Sequence, residues 1–213
     1  MNMLDDILQD IPKDSCLGKA VAAGYNVFFE AETQKGPGVP QAERIDSDSV
    51  RIGDRIWMSH NLQMPADPEN GIYVENGETY FTWNAAMRVA KEYGNGWRLP
   101  SRKDWGRLSR FCGGDRKAGV HLKAKTGWPG DGGLDTYGFN AIPTGYYDTL
   151  TATVRQADDG YTVFWTSGHL ANEYPVHGYI PVYYRSLYWT NDAFPESSGR
   201  ITSAASVRLV KDA

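Results

Sequence analysis

The sequence predicts an α+β fold, and three observations lead to this prediction. A hairpin pattern lies near residue 53, two amphipathic helices follow one directly after the other, and the second half of the chain consists of short aromatic runs separated by Gly, Pro, Asn and Asp. Strands and helices therefore occupy separate stretches of the chain rather than alternating, which is typical of an α+β domain with mainly antiparallel pairing. The 213 residues are enough for one such domain and an appendage.

The hairpin is predicted from apolar residues on both sides of Gly53-Asp54. Val50 and Ile52 precede this turn, and Ile56 and Trp57 follow it. A Gly-Asp pair between two short apolar runs favours a tight β-turn. We place the start of the compact domain just before this hairpin, so that the domain covers residues 48–213.

The first helix is predicted over residues 83–93. Ala86, Val89, Ala90 and Tyr93 recur at the spacing of one helix face. The run Gly94-Asn95-Gly96 then ends the helix, because glycine and asparagine readily adopt the left-handed backbone that closes a helix.

The second helix begins after Ser101. Pro100 disfavours helix before it, and Ser101 with Asp104 three residues later forms the pattern of a capping box. One face of this helix is apolar and carries the following residues: Trp105, Leu108, Phe111 and Cys112. Gly113-Gly114 ends it, and no further helix is expected in the rest of the chain.

The second half is predicted to hold short strands and long loops. The strand candidates are residues 138–142, 161–166, 182–189 and 206–210. Aromatic residues make up 13% of the chain, and large rings can hold together a fold with short regular elements. We expect the tryptophans that lie among apolar residues and glycines to be buried, with each indole N–H bonded nearby: Trp57, Trp83, Trp97, Trp105, Trp128 and Trp165.

Residues 1–47 are predicted to form an N-terminal appendage with a helix and a strand. Leu4, Ile7, Leu8 and Ile11 form an apolar stripe on an acidic helix, residues 25–30 resemble a strand, and residues 33–44 read as a linker. The stripe either packs within its own unit or docks a partner, which would include a second copy of the chain.

Composition excludes several classes of function. The net charge is -4 and the lysines and arginines are scattered singly, so no nucleic-acid partner is expected. The sequence has neither a signal-peptide pattern nor a long apolar run, so we expect a soluble chain that does not insert into a membrane. Cys16 and Cys112 do not resemble a disulfide framework or a zinc site, and both are predicted to be buried thiols.

Candidate catalytic and metal residues are few. His60, His121, His169 and His177 are dispersed and are expected to be structural. Asp131 and Asp135 could supply oxygens to calcium, but a Gly- and Asp-rich turn explains the same residues. We therefore predict no metal and no cofactor.

A concentration of tyrosines between residues 168 and 202 predicts a binding surface. Tyrosine offers a large amphipathic contact area at small entropic cost, and small polar residues add adaptable hydrogen bonds. The alternative is that these rings are the core of a loop-rich fold. The candidate ligand-binding residues are Tyr174, His177, Tyr179, Tyr183, Tyr184, Arg185, Tyr188, Trp189, Asn191, Asp192 and Phe194.

Seven motifs, in order from about residue 48 to the end, together resemble the major paralogous domain family of Fibrobacter succinogenes. They lie at residues 50–62, 80–87, 96–101, 126–128, 135–143, 164–167 and 206–212. The resemblance implies a C-type lectin-like fold, with two helices packed on short, twisted, mainly antiparallel strands and long loops. It is the variety of that fold found in formylglycine-generating enzymes, which the variable proteins of diversity-generating retroelements also use.

The resemblance also implies a ligand-binding face in the C-terminal half. Formylglycine-generating enzymes use two cysteines late in the chain, whereas Cys112 is the last one here, so that oxidoreductase activity is not expected to carry over and we predict a non-catalytic protein. The expected ligand is a protein or a glycan. Surface or virion display, as in an adhesin or a phage tail, would follow from this reading, and a structural subunit of such an assembly is a further alternative.

Residue usage fits diversification by a retroelement, which would randomise adenines in the gene. Methionine is absent after Met87, and lysine is absent between Lys125 and Lys211. The codons that result from such randomisation encode neither residue, nor Gln, Glu or Trp, so Glu173, Trp189 and Glu196 would have to be unmutated positions. A region of short loops and strands would show the same bias, so diversification stays a hypothesis.

Overall fold

The computed structural model describes residues 42–130, 132–169, 181–199 and 203–213. The chain divides into two units between Val39 and Pro40, and all of these residues belong to the second unit. The predicted appendage helix, the predicted strand at 25–30 and Cys16 lie outside the described residues.

The described residues form twelve short strands and three helices, with one 3₁₀ turn at Pro68–Asn70. This confirms the α+β prediction. In chain order the elements are β1 (Glu43–Arg44), β2 (Ser49–Ile52), β3 (Arg55–Met58), β4 (Ile72–Glu75), β5 (Glu78–Thr82), α1 (Trp83–Tyr93), α2 (Arg102–Phe111), α3 (Ala118–Leu122), β6 (Tyr146–Asp148), β7 (Thr153–Arg155), β8 (Tyr161–His169), β9 (Val182–Tyr188), β10 (Glu196–Gly199), β11 (Ser203–Ala205) and β12 (Val210–Asp212).

Three antiparallel sheets organise these strands. The first has the order β1-β2-β3-β12, the second β10-β9-β8 and the third β4-β5-β11-β6-β7. The predicted hairpin is β2 and β3, with Val50 opposite Trp57, and the last strand of the chain pairs with β3. Since β1 pairs with β2, the first sheet already begins at Glu43, before the predicted start at residue 48.

Helices α1 and α2 have the predicted bounds, because their ends are coded locally. The Thr82 hydroxyl accepts a hydrogen bond from the Ala85 N–H at the start of α1. In α2, Ser101 accepts from the Asp104 N–H and Asp104 accepts from the Ser101 N–H, which is a complete capping box. One face residue was predicted wrongly: Tyr93 is exposed, because it lies on the last turn of α1.

The strand and helix predictions of the second half need three corrections. Residues 138–142 form no strand; Ala141 makes only an isolated bridge with Lys123. The predicted strand at 206–210 is displaced, since β11 ends at Ala205 and β12 begins at Val210. Helix α3 was not predicted, because five residues are too few to establish a helical period.

The core is built around Trp105 of α2, which is fully buried. Its ring lies 4.7 Å from that of Trp57 and contacts Phe139, Phe164 and Phe194 within about 6 Å between centroids. Such tilted and edge-on packing adds to the stability gained by burying the rings. The α2 helix is thereby fixed against the first and second sheets.

The predicted burial of the tryptophans is confirmed for Trp57, Trp105, Trp128 and Trp165, while Trp83 and Trp97 are partly buried. Indole N–H groups donate to backbone carbonyls: Trp105 to Trp165, Trp128 to Ala141, Trp165 to Phe81 and Trp83 to Thr166. The indole N–H of Trp57 has no partner among the described residues. Most of these carbonyls are distant in sequence, so the rings connect separate elements.

Gly145 is a position where the backbone cannot accept a side chain. Its φ is +65°, and an added Cβ would lie 2.0 Å from the Arg155 carbonyl oxygen. We expect Gly145→Ala to lower the free energy of unfolding by about 2–3 kcal/mol, measured by urea denaturation. Gly77→Ala is the matched control, since Gly77 has a φ of +79° with nothing within 4 Å of an added Cβ, and should cost only about 1–2 kcal/mol. Equal losses in both variants would contradict the steric explanation.

Candidate functional site

Three of the predicted ligand-binding residues, Tyr174, His177 and Tyr179, lie outside the described residues. The others lie on β9 or on the loop that connects β9 to β10. This loop begins with the exposed residues Trp189, Thr190, Asn191 and Asp192. We call these four residues, with the exposed Tyr188 at the end of β9, the display loop.

Two predicted binding residues are core residues instead, which corrects the prediction. Arg185 is 4% exposed and Phe194 is 0% exposed, so neither is available to a ligand at the surface. The Arg185 guanidinium donates to the Phe194 carbonyl at 2.7 Å and to the Asp115 carboxylate at 2.8 Å. Phe194 packs edge-on against Trp105. Both residues therefore fasten the loop to the body of the domain.

Alternation along β9 could not separate an inner from an outer face. The sequence places Ser186 on one face and Arg185 and Leu187 on the other, yet all three are buried. Both faces of this strand are covered over most of its length, so alternation carries no information about exposure there. Only Tyr188, at the end of the strand, becomes exposed.

The display loop carries two of the three exposed tyrosine and tryptophan side chains of the described residues; the third is Tyr93, on α1. Trp189 is 49% exposed and Tyr188 is 37% exposed, and Asn191 and Asp192 beside them are exposed. Large apolar side chains exposed to this extent within a polar surrounding are typical of contact surfaces. The arrangement can bind a partner through ring contact and hydrogen bonds.

The backbone of the display loop is tied to buried parts of the domain. The Lys123 ammonium donates to the carbonyls of Tyr188 and Asn191, at 2.9 Å in each case. The Trp189 N–H donates to the Gly160 carbonyl, and the Asp192 carbonyl accepts from the Gly119 N–H, at 2.8 Å in each case. A loop held in this way presents its side chains with little entropy left to lose on binding.

Lys123 supports the display loop, a role that was not predicted from the sequence. Its side chain is buried, and burial lowers the pKa of its ammonium group. Its partners are the two loop carbonyls and, at 5.5 Å, the ring of Trp128. A single lysine within a polar run carries no sequence signal for such a role, because the carbonyls it binds are more than 60 residues away.

Glycines allow the loop to lie close to its supports. An added Cβ at Gly160 would lie 2.7 Å from the Cβ of Trp189, and one at Gly119 would lie 2.5 Å from the Ala193 carbonyl oxygen. Both contacts are shorter than a side chain permits. The Gly160 backbone therefore packs directly against the Trp189 side chain, and the Gly119 backbone packs against the backbone of the loop.

The two remaining tyrosines on β9 are partly buried and lie beside different groups. Tyr183 lies under the Arg102 guanidinium, whose Cζ is 3.8 Å from the ring centroid. Tyr184 packs edge-on against Trp165 and lines a pocket of about 300 Å³. Burial raises the pKa of Tyr184, so its phenol stays neutral at physiological pH.

The residues that the structure describes do not form a metal cluster. They contain no group of three or more His, Cys, Asp or Glu side chains that could hold an ion. Asp131 lies outside them, and the Asp135 carboxylate accepts a hydrogen bond from the Asn140 N–H at 2.7 Å. Cys112 is buried, as predicted, and burial raises the pKa of its thiol to about 12, which makes it unreactive at neutral pH.

The three described histidines differ in setting. His60 and His169 are exposed, and His169 packs edge-on against Trp83 at 5.9 Å. The ring of His121 shares a hydrogen bond with the Thr136 hydroxyl at 2.8 Å.

Among the helices of the described ranges, none combines the length and apolar character required to span a bilayer.

Comparison with known proteins identifies the family. A family model described as the Fibrobacter succinogenes major domain matches residues 50–211. No curated protein matches the chain. The matched region runs from β2 to β12 and includes the three helices, the display loop and every strand except β1. The resemblance carried by the seven motifs is thus confirmed over most of the sequence, and the chain belongs to the Fibrobacter succinogenes major domain family.

Proposed function

We propose that this protein is a non-catalytic binding protein that presents the display loop to a macromolecular ligand, either a protein or a glycan. The observation that carries the proposal is the combination of exposure and anchoring in one loop. Trp189 and Tyr188 are exposed, while the backbone between them and Asp192 is bonded to Lys123, Gly160 and Gly119. Exposed aromatic rings on a rigid backbone are the physical basis of a binding hot spot.

We also propose that the domain has a C-type lectin-like fold. The two long helices, the short antiparallel strands and the long connecting loops are in keeping with a C-type lectin-like domain. Residues 168–202, which include the display loop, form the ligand-binding face of this domain. The gene segment for this face is diversified by a retroelement, and the protein is displayed at a cell surface or on a virion. Residues 1–47 attach the domain to a larger assembly.

The test compares ligand capture by matched surface variants. Immobilised full-length protein is screened against arrays of purified surface proteins and glycans, and each ligand found is titrated against Trp189→Ala and Tyr188→Ala. We expect each variant to bind at least about tenfold more weakly, because buried aromatic anchors dominate such interfaces. The melting temperature should change little for Trp189→Ala, whose side chain is half exposed, and more for Tyr188→Ala, whose ring packs against that of Tyr161 with centroids 4.6 Å apart.

Tyr93→Ala serves as the control for these variants. Tyr93 is 45% exposed, which is comparable with Tyr188, but it lies at the end of α1. It should leave capture unchanged. Equal binding by the display-loop variants and the wild type, or equal weakening by Tyr93→Ala, would refute the proposed surface.

A further inference from the structure

A second concave site lies between the second and third sheets and was not predicted from the sequence. Four aromatic side chains line this pocket of about 300 Å³: Tyr146 from β6, Tyr161 and Trp165 from β8, and Tyr184 from β9. We call it the aromatic pocket. Its volume is at the small end of the range for ligand sites, so it fits one compact group rather than an extended molecule.

The four rings form two nearly perpendicular pairs. Tyr146 and Tyr161 meet at 89° with centroids 6.4 Å apart, and Trp165 and Tyr184 meet at 80°, also at 6.4 Å. Two perpendicular pairs around one small volume make a box of aromatic surface. A group within this box can lie within reach of several rings at once.

The remaining lining is small and uncharged. It consists of Val163, Ala205, Ser203 and Gly199, so that no lysine, arginine, aspartate or glutamate is among the described residues of the wall. Gly199 leaves room for the ring of Tyr184, whose Cε1 lies 3.1 Å from the position of an added Cβ. The described part of the wall therefore presents neither a cation that would repel a positive ligand nor an acid that would pair with it.

The electronic character of the walls favours a cation. The face of an aromatic ring carries partial negative charge, which attracts a positive group above it. The indole N–H of Trp165 is already donated to the Phe81 carbonyl, at 2.6 Å. Burial raises the pKa of both Tyr161 and Tyr184, which keeps the phenols neutral. Aromatic side chains thus make up half of the described lining, and three of them are tyrosines that also carry a neutral hydroxyl.

We propose that the aromatic pocket binds a quaternary ammonium group. Such a cation has no N–H donors and an apolar surface of methyl groups. It therefore loses little hydration free energy on leaving water, and it gains contact with several ring faces. The group can come from a choline-type headgroup or from a trimethylated lysine side chain, which share this chemistry. The inference does not depend on the display loop, because none of its five residues lines the pocket; the two sites are neighbours, since the ring of Tyr188 packs against that of Tyr161 with centroids 4.6 Å apart.

The decisive experiment compares a cation with its uncharged isostere. Full-length protein is titrated with choline and with 3,3-dimethylbutan-1-ol, which replaces the nitrogen by carbon, and binding is followed by tryptophan fluorescence at constant ionic strength. We expect choline to bind at least about tenfold more tightly than the isostere. Equal affinity of the two probes, or no saturable response to choline, would overturn the proposal.

Variants locate the site and separate the two sources of the ligand. Tyr184→Leu and Tyr146→Leu keep apolar bulk but remove the ring, so each should weaken choline binding about three- to tenfold, while Tyr93→Leu should not change it. Since the two variants alter different strands, a folding defect in one leaves the other informative. Titration with phosphocholine and with a trimethyllysine peptide then identifies the source of the ligand. Tighter binding of phosphocholine indicates a choline-type headgroup, and tighter binding of the peptide indicates a trimethylated lysine side chain. Unchanged binding in both folded pocket variants would refute the assignment.

Discussion

Replacing Arg208 by methionine is expected to lower the free energy of unfolding by about 4 kcal/mol or more, measured by urea denaturation. The Arg208 side chain is 1% exposed and has no carboxylate among its hydrogen-bond partners in the described structure. Its guanidinium donates instead to the Asn61 side-chain oxygen and to the backbone carbonyls of Met58, Phe139 and Asn140.

The reason for the large effect lies in these acceptors. Methionine fills much of the same volume, but it leaves four buried or partly buried oxygens without their donor, and each unsatisfied acceptor costs about 1 kcal/mol or more. Replacing a buried charge by an apolar side chain can be neutral where both partners are removed together. Here the partners are mainly backbone and cannot be removed.

Aromatic rings support the same guanidinium. Its Cζ lies 4.6 Å from the ring centroid of Phe139 and 5.8 Å from that of Phe164. Burial lowers the pKa of Arg208 to about 9, so the group keeps its charge at neutral pH. Arg208 thus joins the end of β3, the 139–140 segment and β8 at the centre of the domain.

Two further variants make this prediction specific. Arg208→Lys retains the charge but not the planar fork of donors, so we expect it to recover less than half of the loss. Arg88→Met is the control, because Arg88 is exposed and donates to one carbonyl, that of Asn70. It should change the stability by about 0.5 kcal/mol or less. A loss below 1 kcal/mol for Arg208→Met would contradict the role assigned to the guanidinium.

Arg208 also shows which parts of the fold could be predicted from the sequence. Helices α1 and α2 were predicted with their bounds, because caps and apolar periodicity are local signals. Arg208 gave no such signal, since its partners lie about 70 to 150 residues away in the chain. The run 138–142 was predicted as a strand because it is apolar, and Phe139 and Ala141 are indeed buried. The Phe139 carbonyl, however, accepts a hydrogen bond from the distant Arg208 rather than from a neighbouring strand.

Some missed elements did have a signal. The β4–β5 hairpin turns at Asn76-Gly77, both with positive φ, and Asn-Gly is a strong hairpin indicator that the sequence analysis did not use. Helix α3 had none, because it is five residues long and includes Gly119, which the display loop needs for its close approach.

The site was predicted less completely than the fold. Composition singled out the tyrosine-rich region, yet it could not separate the exposed Trp189 from the buried Phe194, because both are aromatic residues near Asn and Asp. Nor could it find the aromatic pocket, whose four rings come from three strands between residues 146 and 184. Such sites arise from tertiary packing, which single-sequence patterns do not report.

The second large effect concerns Asp104, the acid at the start of α2. Its side chain is 3% exposed and accepts hydrogen bonds from Arg98, Arg55 and the Ser101 N–H. Burial alone would raise the pKa of this carboxyl, but the donated hydrogen bonds outweigh burial and hold the pKa well below its usual value. We expect Asp104→Asn to lower the free energy of unfolding at pH 7 by about 3 kcal/mol.

The asparagine amide cannot replace the Asp104 carboxylate, because it cannot accept the same hydrogen bonds. Asparagine has the shape of aspartate, but it offers one acceptor oxygen and turns an NH₂ group toward the arginine donors or toward the Ser101 N–H. Arg55 is largely buried, with 17% of its side chain exposed, and would lose its buried partner. The 40% exposed Arg98 can turn to water, which is why the expected loss lies at the low end for a buried ion pair.

The pH dependence distinguishes this charge effect from a packing defect. A carboxyl whose pKa is lower in the folded state stabilises the protein fully above its unfolded pKa of about 3.9, and the stabilisation is lost as the pH falls toward the folded pKa. The stability difference between wild type and Asp104→Asn should therefore be constant from pH 7 to about pH 5 and shrink at lower pH. Urea denaturation at each pH measures it.

Asp212→Asn is the matched control within the same cluster. Asp212 also contacts Arg55 and Arg98, at 3.3 and 3.5 Å, but its side chain is 78% exposed. Solvent screens such a pair, so the control should change stability by about 0.5 kcal/mol or less. If Asp212→Asn proved as costly as Asp104→Asn, the effect would come from the total charge of the cluster. If the Asp104→Asn deficit stayed constant down to pH 2, lost packing rather than the buried carboxylate would explain it.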